Sequence, residues 1–124
     1  MFPQRPMLIG AHVSPAGGLA KAIERGTDRG CESIQIFHQS PRAWRPTRYG
    51  PDDFTEFREA MDSSPIQAVL IHAVYLINCA SNETEIRRKS LDSLTHALRI
   101  GDGIGAAGVV LHPGPRRASR TDRR

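Results

Sequence analysis

Four of the five histidines in this 124-residue sequence share one kind of position. His12, His38, His72 and His112 each close a short apolar run, after Met7, Ser33, Gln67 and Gly108 respectively, and only His96 lies elsewhere. Runs of this length and composition read as strands covered on both faces. His112 is followed by Pro113 and Gly114, which cannot continue a ladder. His72 and His112 are separated by about forty residues, room for one crossover helix with its loops, so their strands can be parallel neighbours with both rings on one rim. Convergent neutral imidazoles most often bind a metal, and zinc is the commonest choice. No Asp or Glu falls at a strand tip, so the sequence offers neither a bridging carboxylate nor an acidic general base for such a metal. Any one of these histidines read alone is more simply a satisfied structural residue.

The elements that must position them alternate strand and helix. Met7 to His12 is a first strand, with Ser14 and Pro15 as cap and first-turn signals. A helix over 18–29 follows with Leu19, Ala22, Ile23 and Gly26 on one face, closed by Gly30. The second strand, Ser33 to Phe37, runs into a polar loop from Gln39 to Pro51 that holds Arg42, Trp44, Arg45 and Arg48. Asp52 and Asp53 open a second helix with Phe54, Phe57, Ala60 and Met61 inward. After the third strand, Asn82 and Glu85 have capping-box spacing for a helix to about Ile100 with Ile86, Leu91, Leu94 and Leu98 inward, and a glycine run then leads to the fourth strand. Four β–α units imply a parallel sheet. They suit either a small doubly wound sheet or half of a (β/α)₈ barrel, and histidines gathered at strand C-termini favour the barrel.

Composition sets the outer bounds. An apolar fraction of 39% and a charged fraction of 24% are those of a globular domain, and no run approaches the roughly 18 apolar residues of a membrane span. The N-terminus lacks the apolar core of a signal peptide, which makes a cytoplasmic location the expectation. Cys31 and Cys79 stand apart without metal or redox spacing and read as reduced thiols. The net charge of +4 belongs to residues 116–124, with five arginines and one aspartate; the rest of the chain is neutral. We therefore divide the chain into a folded unit, 1–115, and a disordered basic tail, 116–124, which need not be native.

The motifs in order carry a resemblance. Gly10-Ala11-His12-Val13-Ser14 with Gly17-Gly18-Leu19, Gln35-Ile36-Phe37 with Ser40-Pro41-Arg42-Ala43-Trp44, His72 with Tyr75-Leu76-Ile77-Asn78, and His112-Pro113-Gly114 resemble the N-terminal half of endonuclease IV, the zinc-dependent apurinic/apyrimidinic endonuclease of DNA base excision repair. The resemblance covers Met7 to Gly114 and implies the first four β–α units of a TIM barrel. It implies three zinc ions in the complete protein and at most one partial site here, with His72 and His112 as ligands and His12 lining the active site. It implies hydrolysis of the phosphodiester 5′ to an abasic nucleotide in double-stranded DNA, leaving a 3′-hydroxyl, with Arg42, Tyr75 and Leu76 entering the stack and Trp44 in the same loop system. Nothing is implied for His38, and read without the resemblance Trp44, Tyr75 and Leu76 are as readily packing residues.

The matched motifs stop at the fourth strand, where Pro115 opens the arginine tail, so the expectation for these 124 residues alone is no incision of DNA. A half barrel also leaves two open sheet edges, which predicts low stability or self-association. The sequence does not call for an obligate protein partner. A metal-dependent sugar isomerase or epimerase on a similar barrel, and a non-catalytic remnant or interaction module, are the other readings.

Overall fold

The computed structural model describes residues 7–114; the basic tail expected over 116–124 lies outside them. Seven elements follow in the order β1 (Gly10–His12), α1 (Leu19–Asp28), β2 (Ser33–Phe37), α2 (Pro51–Asp62), β3 (Ala68–His72), α3 (Thr84–Ile104) and β4 (Gly108–Val110). The strands form one parallel sheet in the order β1-β2-β3-β4. Sequential order of this kind puts every crossover on the same face, as in a barrel and unlike a doubly wound sheet, whose order reverses at a switch point. The architecture is half of a (β/α)₈ barrel.

Alternation along the strands fixes which side chains reach which face. Ile34, Ile36, Val69 and Ile71 turn toward the helices and form the core with Leu19, Ala22 and Ile23 of α1, Phe57 of α2 and Ala97, Ile100 and Ile104 of α3. The opposite parity carries His12, Gln35, Phe37, Leu70 and His72 on the face that a closed barrel turns inward. Gly10 sits here because a Cβ would collide with the Ser33 carbonyl oxygen on the paired strand. Leu70, on this face, remains 39% exposed, as expected of a side chain that a closed barrel would cover with further strands.

Several local expectations change. Ser14 does not cap α1; its Oγ accepts from the Ala16 amide, and Gly17 and Gly18, with φ of 90° and 137°, lead into the helix. The Asn82–Glu85 box does not form either: Glu83 is the N-cap of α3, and its amide donates to Ser81 Oγ. α3 runs four residues past the expected end, and its buried face is Ser90, Ser93, Ala97, Ile100, Gly101 and Ile104, leaving Leu91 and Leu98 more than half exposed. Of the glycine run 101–108, Gly101 and Gly103 lie within α3, Gly105 is its left-handed C-cap and Gly108 begins β4. A Cβ at Gly103 would sit 2.6 Å from the Phe54 ring of α2.

Candidate metal and nucleic-acid site

Three of the four strand-tip histidines meet. Residue parity in register brings Gln35 beside His12 and Phe37 beside His72, so one row of side chains runs along the rim. The Gln35 Nε2 amide donates to His12 Nδ1 at 3.1 Å. Phe37 stands edge-on between the rings of His12 and His72, at centroid distances of 4.5 and 5.3 Å. His72 Nδ1 donates to the Ala73 carbonyl at 2.7 Å, which makes its Nε2 an acceptor. That nitrogen accepts from His112 Nε2 at 3.1 Å. Burial lowers the pKa of His12, and nearby His72 lowers it further, both favouring the neutral ring. Gln35 and Phe37 do not stand out as site residues in the sequence; their shared parity with His12 and His72 is the signal that finds them.

The pair of Nε2 atoms fits a metal. Two ligands of a tetrahedral zinc with Zn–N near 2.0 Å stand about 3.3 Å apart, close to the observed separation. The hydrogen bond to Ala73 is the outer-shell contact that fixes a ligating tautomer. The pair supplies only half of a tetrahedral set: no group of three or more His, Cys, Asp or Glu side chains suited to a metal exists among the described residues.

His38 does not join the rim. It continues the parity of Ile34 and Ile36, so it passes to the helix side, is fully buried, and places Nε2 3.0 Å from Ser93 Oγ on α3. Burial first, and His96 second, push its pKa down to about 4, with the backbone of His72 and the Gln39 side chain partly offsetting them. The sign follows from where the proton binds. The unfolded chain takes up this proton near pH 6.5 while the folded chain resists it to about pH 4, so the contribution is whole above pH 6.5 and lost as pH falls through that window. The span corresponds to on the order of 3 kcal/mol. Thermal unfolding between pH 7 and 4 is expected to fall more steeply for the parent chain than for His38→Gln; equal slopes would refute the assignment.

Two loops rise beside the rim. The one between β2 and α2 exposes Arg42, Arg45 and Arg48, and no acidic residue lies between Phe37 and Asp52. The one after β3 exposes Tyr75 (62%), while Leu76 is half-buried against the small cluster of Ala73, Val74 and Ile77. Trp44 packs on that same cluster from the first loop, so it joins the two. A cavity of about 810 Å³ opens between the loops following β1 and β2, lined in part by His12, Ser14, Phe37, Gln39 and Tyr49. That is the size of a small-molecule or nucleotide-unit site.

Parallel strands with helices on one face and convergent side chains at the strand C-termini define a TIM-barrel protein. The chain belongs to the xylose isomerase-like TIM barrel family, whose model matches residues 23–124. Within it, the chain is similar to probable endonuclease 4 of Geobacter sp. (strain M21), 38% identical over 86% of this chain and 38% of that protein. It is similar also to probable endonuclease 4 of Streptomyces avermitilis, 41% identical over 86% of this chain and 34% of that one. The crystal structure of endonuclease IV from Thermus thermophilus superposes with a TM-score of 0.81 and 37% identity, covering 88% of this chain and 42% of that chain. D-Psicose 3-epimerase superposes with a TM-score of 0.59 at 10% identity, a likeness of fold alone. The chain thus spans about two fifths of the length of the endonucleases it resembles. Among the described residues no helix is long and apolar enough to cross a membrane.

Proposed function

We propose that this chain carries the first half of a zinc-dependent apurinic/apyrimidinic endonuclease site acting in DNA base excision repair in the cytoplasm. The observation that carries the reading is the 3.1 Å approach of His72 Nε2 to His112 Nε2 at the tips of adjacent parallel strands, in a chain similar to endonuclease 4 proteins over most of its length. His72 and His112 would hold one zinc jointly with ligands from the second half of a complete protein. Bound zinc would supply an activated hydroxide and neutralise charge developing on the phosphate 5′ to the abasic nucleotide. Three zinc ions are expected in the complete protein, and the residues present here answer to at most part of one site.

The chain's own residues then take up the rest. Gln35 and Phe37 hold the His12 ring in place at the edge of the site, where it lines rather than ligates. Arg45 and Arg48 face the duplex backbone, whose charge they neutralise. Arg42, Tyr75 and Leu76 enter the stack where the abasic nucleotide leaves a gap, and Trp44 backs the loop that carries Arg42. The arginine-rich loop beside an exposed tyrosine suits a duplex and has no evident use in a sugar isomerase. Arg42→Ala is expected to weaken binding to an abasic duplex about tenfold and to flatten its salt dependence. A variant that binds like the parent at every salt concentration would remove Arg42 from the interface. The 124-residue chain by itself is expected to leave the abasic duplex uncut; metal-dependent incision by the purified chain would overturn that.

A further inference from the structure

The buried face of α3 changes character along its length. Toward the C-terminus it is Ala97, Ile100 and Ile104, packed on the strands as a barrel helix normally is. Toward the N-terminus the same face turns polar, with Ser90 and Ser93 buried and His96 half-buried. Buried polar groups are costly unless bonded, and each of these is bonded to a segment that follows a strand. Ser93 Oγ meets His38 Nε2 at 3.0 Å. Thr47 Oγ1 donates to the His38 carbonyl at 2.8 Å, and because a hydroxyl has one proton it accepts from His96 Nε2 at 3.0 Å. Gln39 Nε2 donates to the Ala43 carbonyl, closing the arginine loop on itself. On the other side, Ser90 Oγ accepts from the Asn78 amide at 2.8 Å, fixing the end of the Tyr75–Leu76 loop.

We propose that Ser90, Ser93 and His96 of α3, with His38 and Thr47, form a clamp that holds the Gln39–Gly50 and Ala73–Glu83 loops in one fixed relation, and so positions Arg42 and Tyr75 as a unit. They are positioning residues, not groups that touch a substrate. That the positioned unit serves DNA rests on the function proposed above; the clamp itself does not. Trp44 supplies the apolar half of the device by packing across to Ala73, Val74 and Ile77.

Amide hydrogen exchange of the full chain tests it. Thr47→Val keeps the side-chain shape and removes both of its hydrogen bonds, whereas Thr47→Ser keeps them. Losing these bonds, made to His38 and His96, is expected to accelerate exchange about tenfold in the Gln39–Gly50 loop and also in the Ala73–Glu83 loop, with α1 unchanged. Thr47→Ser is expected to exchange like the parent. Ser90→Ala, beneath the second loop, is expected to loosen both loops as well. Acceleration confined to the loop bearing the lost bond, or spread evenly over the whole chain in both variants, would overturn the clamp. Failure of the DNA reading shows separately: an abasic duplex would then protect neither loop of the parent chain, while the coupled exchange would persist.

Discussion

Zinc binding by the chain is expected to be weak, with one site, and to fall at least about a hundredfold in either His72→Ala or His112→Ala. Each variant leaves a single imidazole, and the gain from two donors held 3.1 Å apart disappears with it. The Ala73 carbonyl contributes by orienting His72, so the ring enters the site without first losing rotational freedom. Titration calorimetry, or the visible spectrum of the cobalt-substituted chain, reads the loss directly. The exposed thiol of Cys79 is the competing ligand. Binding that survives in His112→Ala and vanishes in Cys79→Ser would place the metal on the thiol and not on the rim.

The second large effect is on folding. Phe57 is fully buried where α2 meets the core, and truncation to alanine is expected to cost about 3–5 kcal/mol. A whole domain holds only about 5–15 kcal/mol in reserve. This one is expected at the low end, because among the described residues β1 and β4 each have a sheet neighbour on one side only, and Ile9, Leu70 and Leu111 stay exposed. Phe57→Ala is therefore expected to lose its cooperative thermal transition, seen by circular dichroism. A melting temperature within a few degrees of the parent's would mean that α2 is not part of the same cooperative unit.

The rim was legible in the sequence to the extent that alternation and punctuation carry it. His72 and His112 each end an apolar run in consecutive strands, and neighbouring parallel strands must bring such tips together. The α1 face of Leu19, Ala22, Ile23 and Gly26 and the bounds of β2 followed from periodicity alone. His38 shows what reading tips without parity misses: two residues beyond Ile36 on an alternating strand, it had to face the helices. α3 failed for a different reason. Hydropathy selects Leu91 and Leu98 as inward, but the inward positions near its N-terminus face loop segments, where the hydroxyls of Ser90 and Ser93 are worth more than leucine. That preference becomes visible only once the two loops are known to lie against the helix. Gly103 misled in the same way, as its lack of a side chain serves packing against Phe54.

That these residues are half of an abasic-site recognition and cleavage centre is tested most directly by competition binding. The zinc-supplemented chain is offered a duplex with one abasic analogue against the same duplex intact, at fixed salt. The expected result is a preference for the abasic duplex of about tenfold or more, lost in Tyr75→Ala. Equal affinity for the two duplexes, unchanged by Tyr75→Ala, would contradict it.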